Sequence, residues 1–306
     1  MLDALPLWAG LALLGGLAQT TRNATAQTIS RSISPTLNSW SRFAFCLPWA
    51  AIAVVATATQ RGWPALDPGF LAWCFATALT QLLANVALVT AFRRGSFGES
   101  IVFHKLEVLL TAIVGALFFA EVPSTTGALG IAVCAIGVVA INLAREGAES
   151  GVRQALRFGP AGAWALLCAI LLVGASFSLK LANQALRAAN PEADFFEGAI
   201  HTLFHTTWIE VVVLSAWIAR REPGGFVAVR RLWPRMLLIG SAGFTASLCW
   251  FWSFSITIVA YAKAVGQIEA LLAVGVGILL MGERELLRQL PGIALTMLGI
   301  LLVLLG

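Results

Sequence analysis

Apolar runs of spanning length recur from one end of this chain to the other, 43–59 and 292–306 among them. Within a hydrocarbon slab of ~30 Å, a backbone satisfies its own hydrogen bonds only as a helix or a closed barrel, and a helix needs ~20 residues to cross. These runs are continuous rather than alternating, which excludes a transmembrane barrel. Ten segments follow, at roughly 6–26, 40–60, 70–92, 97–120, 125–143, 160–184, 195–219, 235–256, 259–281 and 291–305. Gly62-Trp63-Pro64, Pro123-Ser124, Asn190-Pro191, Pro223-Gly224-Gly225 and Pro291-Gly292 separate them, as helix breakers should. Composition agrees, because 59% hydrophobic and 11% charged residues cannot clothe a soluble domain of this length. The expectation is an all-α polytopic membrane protein.

Cys46, Cys74, Cys134, Cys168 and Cys249 all fall inside apolar segments without local pairing, so they read as small core hydrophobes, not as disulfides or metal ligands. The N-terminus lacks the basic region of a signal peptide, and the first segment is expected to be retained. A net charge of +5, carried mostly by loop arginines, suits anionic lipid headgroups rather than nucleic acid. No glycine-rich phosphate loop suggests ATP use.

The chain repeats itself. A shift of 162 places Glu107 on Glu269, Leu109 on Leu271, Gly115 on Gly277, Glu121 on Glu283, Gly130 on Gly292 and Gly137 on Gly299, with no gap. Two halves, 1–150 and 151–306, therefore carry five segments each. Five is odd, so the second half enters the membrane from the opposite face, and solute sites in such inverted repeats lie near the midplane between halves. Thirteen basic residues fall in odd-numbered loops against Arg61 and Arg187 on the other face. The positive-inside rule then puts the odd loops in the cytoplasm and both termini outside.

A charge at mid-membrane costs ~2.5–3.5 kcal/mol even on the lenient scale, so buried ions face a cavity or one another. Every loop cation is arginine, whereas Lys105, Lys180 and Lys263 all lie within segments. Lysine, unlike arginine, can lose its proton on burial. Snorkelling to a headgroup is the alternative, chiefly for Lys263. Glu107 precedes Glu121 by 14 residues, about 21 Å of helix, which sets Glu107 and its counterpart Glu269 near the midplane. Glu121 and Glu283 then mark membrane edges and are structural. His104 shares a face with Glu107, so the two can share a proton, while Lys105 points away from Glu107. Tyr261, Lys263 and Gln267 cluster in the ninth segment. Arg22 with Asn23, Asn85, and Lys180 with Asn183 add inward polar stripes. Glu197, His201 and His205 are a weak candidate metal stripe, weighed against plain polar packing. Glu210 points elsewhere on that helix and has no assigned role.

Several stretches resemble the EamA-type drug/metabolite transporters. They are Ser41-Arg42-Phe43, Ala91-Phe92 with Ser96, Glu121-Val122-Pro123-Ser124 followed by Gly130 and Gly137, Ser176-Phe177-Ser178-Leu179-Lys180, and Met281-Gly282-Glu283-Arg284. The resemblance spans essentially the whole chain and implies ten helices as two five-helix repeats in a transporter. Relatives usually have proline where Glu107 and Glu269 stand, and usually keep both termini in the cytoplasm.

The expected function is secondary active transport of a small polar metabolite, an amino acid or organic anion, by alternating access, with no cofactor. Glu107, Glu269 and His104 would carry coupling protons in a bacterial inner membrane. Lys180, Lys105, Arg22, Asn23, Asn85, Asn183, Tyr261, Lys263 and Gln267 would contact the solute. A flippase for an anionic lipid is the alternative, and an intramembrane metal-dependent hydrolase a remote one.

Overall fold

The computed structural model describes residues 5–30, 32–94, 103–146, 159–222, 224–272 and 288–306. Its long elements are α1 (Leu7–Ile29), α2 (Pro35–Ala44), α3 (Leu47–Arg61), α4 (Pro68–Arg94), α5 (Glu107–Phe118), α6 (Thr125–Glu146), α7 (Pro160–Ala189), α8 (Phe195–Arg221), α9 (Val227–Ile256), α10 (Val259–Gly266) and α11 (Leu290–Leu305). No strand occurs among the described residues. Pro35–Arg61, Pro68–Ala91, Pro160–Ala189, Phe195–Arg221 and Val227–Ile256 are each long and apolar enough to cross a membrane. Outward-facing Ile52, Phe75, Val86, Ile136, Trp208 and Trp217 are exposed, which water would not tolerate on this scale and lipid does. All five cysteines are free and buried, as small core residues.

Local chemistry sets the helix ends. Ser34 caps α2 by accepting the Leu37 amide, with Pro35 in the first turn where its missing N–H is harmless. Asp194 caps α8 by accepting the Glu197 amide at 2.8 Å. Gly62, at φ 88°, closes α3 in the left-handed region that glycine enters freely. The second segment is bent between α2 and α3, where Pro48 begins the new helix. The eighth starts at Val227, eight residues before the expected boundary. α9 carries Pro234 internally.

Two compact units emerge, and each draws on both sequence halves. The first comprises Met1–Leu13, Thr80–Phe177 and Thr257–Gly306; the second comprises Leu14–Leu79 and Ser178–Ile256. In the second, Ile29, Leu37, Ile218, Met236 and Ile239 form one core cluster, and Phe70, Cys74, Ala182, Leu186 and Ala193 another.

The first unit is organised by a glycine crossing of α6 and α11. A methyl on Gly130 would fall 2.8 Å from the Gly299 carbonyl, and one on Gly292 would fall 2.9 Å from the Gly137 carbonyl. Likewise Gly299 abuts the Cys134 amide and Gly137 the Thr296 amide. Under the 162-residue shift each contact is the image of its partner, which is the signature of a two-fold. Positions rising along α6 meet positions falling along α11, so these helices run antiparallel. The two repeats are inverted.

Candidate functional site

Two helices of the first unit are interrupted at matching places. The fourth segment is helical at 103–105, turns at Leu106, and resumes as α5 at Glu107. In the ninth, α10 ends at Gly266, Gln267 turns tightly with its amide on the Ala264 carbonyl at 3.1 Å, and 268–272 is helical again. Under the repeat shift Leu106 falls on Ile268, one position beyond Gln267, so the interruptions of the two halves match to within one residue. Discontinuous helices at matching places in inverted repeats are where transporters build their sites.

The interruptions cross-pair the ions. Lys263 donates to Glu107 Oε1, and Lys105 Nζ lies 3.7 Å from Glu269 Oε1 while donating to Gln267 Oε1 at 3.1 Å. Each segment therefore lends its lysine to the other segment's glutamate. The Lys263 side chain is 7% exposed and that of Glu107 19%, so neither snorkels to solvent. Two lysines against two glutamates sum to zero, which lowers the cost of holding four ions within a bilayer. Gln267 Nε2 also donates to the Lys263 carbonyl at 3.3 Å, bracing the arrangement.

The other expected residues of this unit take different places. His104 Nδ1 contacts Cys168 Sγ at 3.6 Å, and no hydrogen bond joins it to Glu107 among the described residues. Glu107 pairs across helices, with Lys263. The Tyr261 hydroxyl accepts the Ser124 amide at 2.9 Å beside Gly127, a structural tie at the start of α6. Glu121 accepts the Val259 amide at 2.9 Å, which caps α10. It is aimed there by Ala120, a left-handed residue at φ 54° costing ~1–2 kcal/mol. Its counterpart Glu283 lies outside the described residues. Asn85 sits on the exposed side of α4.

Arg22, Asn23, Lys180 and Asn183 belong to the second unit. Arg22 is 8% exposed and donates through Nε and Nη2 to Asn23 Oδ1, at 3.1 and 2.9 Å. Asn183 donates to the Phe195 carbonyl at 3.0 Å and packs against Gly198, so it fastens α7 to the start of α8. Lys180 is half-buried on α7.

The metal stripe does not assemble. Arg61 engages Glu197 at 3.4 Å and Asp194 at 2.7 Å, and His205 Nδ1 donates to the His201 carbonyl at 2.8 Å. Among the described residues no three His, Cys, Asp or Glu side chains gather at metal-binding spacing. In the sequence Arg61 stands out only as a loop cation. The available signal was its rarity, as one of two cations on the face poor in them. A cleft of about 330 Å³ opens beside it, lined by Arg61, Trp63, Pro64, Asn190, Glu192 and Glu197.

Known families speak to this arrangement. The profile of the EamA-like transporter family matches residues 6–143 and again 161–305. The chain is a member of the EamA-like transporter family. Its two matched stretches carry the two interrupted segments, one in each repeat. No curated protein matches significantly. A solved crystal structure, described only as that of a protein, aligns over 98% of this chain and 98% of its own, with TM-score 0.66 and 14% identity. That likeness is one of fold. This EamA-like protein is thus membrane-embedded and multi-pass, of the drug/metabolite transporter type.

Proposed function

We propose that the protein is a proton-coupled secondary transporter of a small polar metabolite, an amino acid or organic anion, working by alternating access between the repeats 1–150 and 151–306. The observation that carries this reading is the cross-paired cluster of Glu107, Lys263, Lys105 and Glu269 at the two helix interruptions. Four mutually compensating ions suit a carrier.

The coupling follows from electrostatics. When Glu107 takes a proton, Lys263 loses its counter-ion and becomes an attractive partner for an anion in a low-dielectric setting. Binding of the anion in turn favours the protonated glutamate, because linkage is reciprocal. Glu269 and Lys105 repeat the relation in the other half. The solute's oxyanion is met by a cation from among Lys105, Lys263, Lys180 and Arg22. In this reading the host is the inner membrane of a bacterium, and the loop arginines put both termini on its outer side.

The test is solute-driven proton movement. Adding transported solute to proteoliposomes loaded with a pH-reporting dye should change the lumenal pH. Solute accumulation with no proton movement would remove the coupling and leave a facilitator.

A further inference from the structure

The cleft beside Arg61 takes no part in the coupling cluster, and four apolar spans end around it. Pro35–Arg61 and Pro160–Ala189 finish there, and Pro68–Ala91 and Phe195–Arg221 begin there. The lining residues fall at those ends and in the turns between them, which sets the cleft at the level of lipid headgroups. Its walls are tied to each other. Arg61 Nη1 reaches Asp194 Oδ2 at 2.7 Å and Glu197 Oε2 at 3.4 Å. Asn190 accepts the Ala65 amide at 2.7 Å and donates to the Ala65 carbonyl at 2.9 Å. The cavity of about 330 Å³ is thus preformed, and of a size that takes a small polar group.

Two kinds of binding group face an occupant. Glu192 is exposed and makes no ion pair among the described residues, and Glu197 gives only one carboxylate oxygen to Arg61. Arg61 spends Nη1 on its two carboxylates, while its Nε and Nη2 take no acceptor among the described residues. The indole of Trp63, 71% exposed, likewise keeps its N–H for a ligand. Arg187 does not line the cleft; it lies 3.7 Å from the Phe195 ring centroid and donates to the Ala193 carbonyl at 3.3 Å. Even with Arg187 counted, the three carboxylates Glu192, Asp194 and Glu197 outnumber the guanidinium groups.

The occupant therefore brings a hydrogen-bonding cation to the glutamates and an oxyanion to Arg61 and Trp63. No three acidic, His or Cys side chains gather at metal spacing among the described residues, so a metal ion is a poor match. A trimethylammonium has no N–H to donate. A phosphate with an uncharged alcohol would add negative charge where carboxylates are already in excess. A primary ammonium two carbons from a phosphate meets both sets. Leu66 and Phe195, chain neighbours of Ala65 and Asp194, are exposed and give acyl chains an apolar surface beside the cleft.

We propose that Arg61, Trp63, Glu192 and Glu197 bind the headgroup of a phospholipid carrying phosphoethanolamine. Its ammonium donates to the two glutamates, and its phosphate accepts from Arg61 and the Trp63 indole. This goes beyond the transporter reading and does not depend on it.

Native mass spectrometry of the purified full-length protein tests it, with ethanolamine, choline and glycerol phospholipids of identical acyl chains as probes. The ethanolamine lipid should bind roughly 10-fold or more tighter than the other two, because charge-assisted hydrogen bonds are lost with each of them. Glu192→Gln, at an exposed side chain, should bring the ethanolamine lipid down toward the choline lipid. Water-soluble glycerophosphoethanolamine separates a lipid from a free metabolite and should bind far more weakly than the whole lipid. Equal retention of the three headgroups, an unchanged preference in Glu192→Gln, or glycerophosphoethanolamine binding as tightly as the lipid overturns the proposal. If that variant does not fold, the wild-type series decides alone.

Discussion

Lys105 and Gln267 stand 162 positions apart and are joined by a hydrogen bond of 3.1 Å, although each is the other's counterpart in the repeat. Residues related by a two-fold meet in this way only close to the axis. The glycine contacts of α6 and α11 obey the same operation. The cluster around Glu107 and Glu269 therefore straddles the local axis of the first unit, where a site can serve both repeats equally.

Removing one member of the buried pair leaves the other uncompensated. Glu107→Gln should destabilise the protein by about 3–5 kcal/mol, read as earlier thermal unfolding in detergent. Glu107→Gln combined with Lys263→Met should recover most of that loss. A double variant no more stable than the single one would mean the pair contributes little.

The glycine crossing makes a prediction of equivalence. Gly130 and Gly292 are each 2.7 Å, at the position of an added methyl, from a backbone nitrogen of the facing helix. Gly130→Ala and Gly292→Ala should each cost about 1–3 kcal/mol, through helix separation, and by similar amounts. Strongly unequal losses in unfolding experiments would argue against the two-fold.

Asp194 gives a pH dependence. Burial pushes its carboxyl upward, but hydrogen bonds from the Glu197 amide and from Arg61 outweigh that and hold it below the ordinary value. A lowered value stabilises the fold above the unfolded value of ~3.9, and the contribution is lost as pH falls through the folded one. Stability at this end of α8 should thus be level from neutral to mildly acidic pH and decline in stronger acid. Asp194→Asn keeps the cap and should flatten the acid limb, whereas Asp194→Ala should lose about 1 kcal/mol at neutral pH. Hydrogen exchange at the start of α8 measures both.

Orientation is open to a direct assay. Thirteen loop cations on one face against two on the other predict a C-terminal reporter on the non-cytoplasmic side. A C-terminal phosphatase fusion should be active and a fluorescent-protein fusion dark; the reverse pattern would invert the proposed orientation.

Much of the architecture is legible in the residues, because a bilayer enforces helices and the 162-residue shift exposes the repeat. Segment ends are less legible: α9 begins at Val227, ahead of the expected 235, and helical geometry runs through Pro234. The inner glutamates and the lysines stand out as ions in apolar surroundings, and periodicity correctly separated Lys105 from Glu107 on one helix. Their true partners, Glu269 and Lys263, come from another segment, and periodicity says nothing about which helices meet. The contact of His104 with Cys168, which arrives from α7, is hidden from periodicity for the same reason. Tyr261 and Asn183 looked like solute contacts because polar atoms in apolar runs are conspicuous. Their hydrogen bonds instead go to backbone groups at helix starts.

The central claim is that the inner glutamates carry the coupling proton, and flux driven by an imposed pH gradient in proteoliposomes tests it most directly. Glu107→Gln and Glu269→Gln, each reconstituted as folded protein, should abolish gradient-driven flux, while solute exchange without a gradient is retained. Undiminished proton-dependent flux in both variants would contradict the account.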